Sequence, residues 1–179
     1  MAKEGFNYFF WGFLFVMLDF RIQGFDILPD VVGFILFALG FQALSGYSGY
    51  FVKGKMYNLV MLIVSLFSVY ERPAQGGGIN VNPLGILVGL VSLVLILVIM
   101  HHLLMGIKEM AVNRGRYDLK QEASQKWTYF LVFQSAGLLL YVLILIPPLF
   151  VAAAIAYFIW SIVLMVMFMR FMKACGEQL

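Results

Sequence analysis

The chain has 179 residues, 63% of them hydrophobic and 12% charged, with a mean hydropathy of +0.95 and a formal net charge of +3. A water-soluble domain is about half apolar and a quarter charged, and a core of this size cannot hide the surplus, so lipid is expected to cover it and a soluble globular domain is excluded. The basic residues are not bunched as in a nucleic-acid binder, and the lone cysteine, Cys175, excludes an intrachain disulfide and gives no metal-ligand spacing.

In hydrocarbon a continuous apolar stretch must be helical, because each backbone group needs an internal partner, and about 20 residues cross it. Six such stretches follow one another. The first is Asn7–Phe20. Lys3 ahead of this run imitates a secretory signal, but Asp19-Phe20-Arg21-Ile22-Gln23 has no small-x-small cleavage site, so the segment is read as a retained span. Its aromatic residues, Phe6, Tyr8, Phe9, Phe10 and Trp11, are expected at the membrane interface, and the Phe9-Phe10-Phe13 stripe is expected to face lipid.

The second predicted helix is Leu28–Leu44, with Gly33 and Gly40 seven apart on one face. The third is Met56–Tyr70, extended back toward Tyr50 if Lys53 and Lys55 snorkel inward. Ala74–Gly78 then forms a loop, and Asn82-Pro83 caps and opens the fourth helix, Pro83–Ile107. That helix carries Gly85-x-x-x-Gly89-x-x-Ser92, a spacing that lets helix backbones approach closely. Near its end stand His101 and His102. Adjacent helical residues point about 100° apart, so the two cannot chelate one metal; they read as interfacial groups, with a pH-sensitive contact as the sharper alternative.

Lys108–Lys126 is predicted to be the main water-exposed loop, with Arg114-Gly115-Arg116 interrupting any long helix. The fifth helix is Trp127–Ile146, with Gln134-Ser135 as the best placed buried polar pair. Pro147-Pro148 makes a tight hairpin into the sixth, Leu149–Met172, which carries Ala152-x-x-x-Ala156. The small-residue stripes at Gly33, Gly40, Gly85, Gly89, Ser92, Ala152 and Ala156 are expected to pack helices within the chain, or against a membrane-protein partner or a second copy.

The distribution of Lys and Arg sets the orientation. With the N-terminus in the cytoplasm, Lys3, Lys53, Lys55, Lys108, Arg114, Arg116, Lys120, Lys126, Arg170 and Lys173 lie inside, and Arg21 and Arg72 outside. The fold class is therefore all-α: a single polytopic domain of six transmembrane helices in a bacterial cytoplasmic membrane, both termini cytoplasmic.

On the outer side this topology gathers Asp19, Arg21, Asp26, Asp30, Glu71 and Arg72. Carboxylates favour helix N-termini, and the arginines can neutralise two of them, so capping and ion pairing is the plain reading. A site for a cation, a basic headgroup or a partner's basic residue is the functional one; a catalytic carboxylate pair is the third. No Asp, Glu, Lys or Arg lies mid-span, which weighs against an ion-coupled pump. Nothing calls for a cofactor or a metal.

Ile27-Leu28-Pro29-Asp30 followed by Gly33, within the stretch from Phe20 to Leu44, resembles the opening of a loose group of small multi-pass membrane proteins of Gram-positive bacteria. That resemblance covers about 25 residues and brings no activity with it. The length and helix count are also similar to the substrate-binding subunits of energy-coupling-factor vitamin transporters. Those dock through an Ala-x-x-x-Ala face of their first helix, where this chain has only Gly5 and Gly12 as small residues. The expected function is a non-enzymatic membrane binding or accessory protein. The alternatives are the binding subunit of a small-molecule importer and an intramembrane enzyme acting on lipid.

Overall fold

The computed structural model describes residues 2–17, 21–22, 25–26, 30–68, 83–143 and 146–179. Within them are six helices: α1 (Ala2–Met17), α2 (Asp30–Leu44), α3 (Gly49–Ser68), α4 (Pro83–Asn113), α5 (Tyr117–Leu143) and α6 (Pro147–Gln178). A two-residue antiparallel ladder, β1 (Arg21–Ile22) and β2 (Phe25–Asp26), lies between α1 and α2. Each helix packs against its neighbours in sequence, and α6 returns to α1, so the six form a closed ring with antiparallel neighbours.

The α1–α2 seam is built on glycine. A Cβ on Gly12 would stand 3.2 Å from the Gly33 carbonyl oxygen, and one on Gly40 would stand 3.0 Å from that of Gly5. Gly5 and Gly12 are seven apart, as are Gly33 and Gly40, so two turns of each helix bring backbone against backbone. Phenylalanine fills the space beside these contacts. Phe9 packs edge-on to Phe37 and Phe41 with centroids 5.3 and 4.9 Å away, and Phe13 stacks on Phe168 of α6 at 4.9 Å. Each such aromatic pair contributes about 0.5–1.5 kcal/mol beyond its area. Phe6, Phe9 and Phe13 are thus buried in the core instead of facing lipid. Their spacing of three and four puts them on the glycine face of α1, while Tyr8 and Trp11 stay exposed.

Other helix ends follow local rules. The Ser48 hydroxyl accepts the Tyr50 N–H at 3.1 Å, capping α3, and donates to Glu109 of α4. The segment predicted as a long loop is mostly helix: α4 runs on to Asn113, and α5 begins at Tyr117. Only the glycine turn interrupts it. Gly115 takes φ +68°, Arg116 N–H bonds the Ala111 carbonyl at 2.8 Å, and Gly115 N–H bonds that of Val112 at 3.0 Å. This is the Schellman pattern, in which a left-handed residue satisfies the last carbonyls. Arg116 also grips Asp118 through two bonds of 3.0 and 2.7 Å and reaches Gln178 at the end of α6.

Charge and packing are both polarised along the ring. Lys3, Lys53, Lys55, Lys108, Arg114, Lys120, Arg170 and Lys173 lie toward the end that holds the α1 N-terminus, the α2–α3 and α4–α5 turns and the α6 C-terminus. Burial is concentrated in the same half. In α4 no described residue before Ile99 is buried; in α5 none after Phe133; in α6 none before Ser161. The flanks are apolar and exposed, for example Ile63 (59%), Leu139 (63%) and Val163 (59%). Two helical segments, Leu87–Asn113 and Pro147–Gln178, are long and apolar enough to cross a membrane.

Candidate functional site

Where the burial stops lies a half-open cavity of about 610 Å³ to which all six helices contribute. Its inner wall is the aromatic core: Phe13 of α1, Phe34 and Phe37 of α2, Phe130 and Phe133 of α5. Toward the sparsely charged end it is bordered by Met17, Asp30, Gly89, Leu140 and Phe150, each near an outer helix end. The size falls within the roughly 300–1,000 Å³ of ordinary small-molecule pockets.

Each helix supplies one face. In α5, Phe130, Phe133, Gln134, Gly137 and Leu140 follow the helical repeat. In α4 it is Gly89, Ser92, Leu93, Ile96 and Met100, and in α6 Phe150, Tyr157, Phe158 and Ser161. Tyr157 lies flat on Phe133, with centroids 4.3 Å apart and planes 11° from parallel. Its hydroxyl fits only because position 137 is glycine: a Cβ there would come within 2.7 Å of it. The Ser161 hydroxyl donates to the Phe158 carbonyl at 2.7 Å, so its hydrogen is committed to the helix. Asp30, Ser92, Gln134, Tyr157 and Ser161 are the polar residues on an otherwise apolar wall, a composition suited to a mostly apolar ligand with a small polar part.

The residues singled out in the sequence divide among several places. Of the outer polar set, Asp30 lines the cavity. Arg21 and Asp26 are opposed in the β1–β2 register. Asp19, Glu71 and Arg72 lie outside the described residues. Gly33 and Gly40 form the α1–α2 seam. Gly85 lies in the first turn of α4, and Gly89 and Ser92 line the cavity. Ala152 and Ala156 are exposed on α6, away from intrachain packing. Ser135 is exposed, and its neighbour Gln134 turns to the cavity.

His101 and His102 belong to a separate aromatic strip across α3, α4 and α5. His102 Nδ1 is 2.7 Å from the Val98 carbonyl, and only an N–H can satisfy that contact, so Nδ1 is the donor. Its ring meets Tyr57 at 5.2 Å, while His101 meets Trp127 at 5.2 Å. Among the described residues, no group of three or more His, Cys, Asp or Glu is placed to hold a metal.

Tyr157, Phe150 and Gly137 escaped the sequence reading. A usable signal was present: one polar residue, Gln134, on the same helical face as Phe130, Phe133 and Gly137. The chain matches no protein-family model, no curated protein and no solved structure at a significant level.

Proposed function

We propose that this protein is a six-span integral membrane binding protein, with both termini cytoplasmic, that holds a mostly apolar small molecule between its helices. On this reading it sits in a bacterial cytoplasmic membrane and has no catalytic machinery of its own. The observation that carries the reading is the cavity to which six helices contribute, apolar except for Asp30, Ser92, Gln134, Tyr157 and Ser161. The membrane setting is supported by the apolar flanks and by the collection of bases at one end, as the positive-inside rule requires. The cavity also favours a second reading, the membrane-embedded binding subunit of a small-molecule importer, which differs in requiring partner subunits.

The test uses the fluorescent apolar probe 1-aminoanthracene on the detergent-purified chain. Saturable binding is expected, and Ser92→Trp should weaken it at least tenfold while leaving the melting temperature nearly unchanged, because that half of α4 is loosely packed. Undiminished binding in a folded Ser92→Trp variant would remove the cavity from the account. Stoichiometric companion proteins in a mild-detergent pull-down would favour the importer subunit.

A further inference from the structure

We propose that the groove where α6 closes on α1, at the basic end, is a lipid site that takes a zwitterionic aminophospholipid, with phosphate toward lysine and primary ammonium toward carboxylate. The proposal rests on the membrane reading and is independent of the interior cavity. The groove has a volume of about 720 Å³ and is bordered by Lys3, Glu4 and Trp11 of α1 and by Met172, Lys173 and Glu177 of α6. It exists because the helices meet closely just beside it: a Cβ on Gly176 would stand 3.3 Å from Phe6 Cβ and 3.6 Å from the Lys3 carbonyl oxygen.

Two features assign the occupant. The first is charge. The end as a whole is basic, yet in this groove Lys3 and Lys173 share the lining with the carboxylate of Glu177, and with Glu4, which already has a contact of its own, so both signs are present. A purely anionic lipid would be drawn as strongly to Lys53 or Lys120, outside the groove, whereas a headgroup of paired charges is matched only where both signs converge. Lys3 and Lys173 form no ion pair with a described residue, which leaves their ammonium groups available to a phosphodiester. A primary ammonium can donate hydrogen bonds to a carboxylate; the trimethylammonium of a choline lipid has no N–H to donate.

The second feature is the apolar side. Trp11 is 48% exposed and meets Phe10 edge-on at 5.3 Å. They place an apolar flank beside the charges, as acyl chains below a headgroup require, and Trp is favoured at that depth.

The experiment adds dioleoyl phosphatidylethanolamine, phosphatidylglycerol or phosphatidylcholine to the delipidated, detergent-purified chain, and reads retained lipid by native mass spectrometry and the melting temperature. The ethanolamine lipid should remain bound and raise the melting temperature by several degrees, well beyond the other two. Lys3→Gln with Lys173→Gln should abolish that shift, whereas Lys53→Gln with Lys120→Gln, which removes equal charge from exposed positions at the same end, should preserve it. An equal shift with phosphatidylcholine, a shift with phosphatidylglycerol alone, or a full response in the Lys3/Lys173 variant would overturn the site and leave the membrane reading standing. A chain that stays in solution without detergent would overturn both.

Discussion

At the scale of single residues, stability is concentrated in positions with no side chain to lose. Gly33 shows this most clearly: a methyl group there would clash with Val16 Cγ2 and stand 3.0 Å from the Val16 amide nitrogen and 3.1 Å from the Gly12 carbonyl oxygen. The side chain can rotate away, but the backbone cannot. Gly33→Ala should therefore cost about 2 kcal/mol through forced separation of α1 and α2. Gly46→Ala, whose new methyl meets nothing within 4 Å, serves as the control and should be near neutral in thermal unfolding. The Asp118 carboxyl behaves differently. Its bonds to the Arg116 guanidinium hold it down at about 2, below the 3.8 of an unconstrained group. A depressed carboxylate stabilises the fold above its unfolded value and loses that contribution as pH falls through its folded one. The melting temperature should thus show a shallow loss between about pH 4 and pH 2. Asp118→Asn should lack that loss; an undiminished gap between variant and wild type at pH 2 would contradict the assignment. Cys175 is fully buried in α6.

At the scale of elements, the legible features were those set by local chemistry. Pro83 opens a helix where a missing N–H does no harm, and Arg114-Gly115-Arg116 does break the chain between two helices, whereas Pro147-Pro148, expected as a hairpin, forms the first turn of α6. What hydropathy misplaced was helix extent, because helices continue beyond their apolar stretches. Tyr117–Lys126 is charged yet helical, held by the 3.0 Å Lys126–Glu122 pair, with the Lys126 ammonium 5.9 Å from the Phe171 ring centroid. Aromatic side chains misled for a related reason. Composition cannot distinguish an interfacial Phe from a core Phe, and only the partner glycines on α2 decide that Phe9 turns inward. The cavity was the least legible feature, since it arises from the failure of three helices to pack over their outer halves. Gly115 gives an element-level prediction. Its φ of +68° with open space around it means that alanine meets strain and no clash, so Gly115→Ala should destabilise the α4–α5 corner by about 1 kcal/mol in thermal unfolding. No loss at all would show that the corner can rebuild without a left-handed residue.

At the scale of the whole molecule, one asymmetry organises the rest. The basic end is tightly packed with phenylalanine and closed by polar ties, such as Ser48 to Glu109 and Arg116 to Gln178. Among the described residues, the opposite half is little buried and borders the cavity. In a bilayer this is coherent: apolar flanks need no covering by protein, and cohesion comes from close backbone approach and interdigitated rings more than from escape from water. The lengths of α1 and α2 fit less simply. At 16 and 15 residues they extend about 24 and 22 Å, less than the roughly 30 Å of a hydrocarbon core. In a bilayer, helices of these lengths would require local thinning. The most direct test of the account is paired labelling with a membrane-impermeant maleimide in a Cys175→Ser background, at Gly77→Cys and Lys120→Cys. Position 77 should react in intact cells and position 120 only after permeabilisation. Reaction of position 77 only from the cytoplasmic face, or of position 120 from outside, would contradict the six-span arrangement and its orientation.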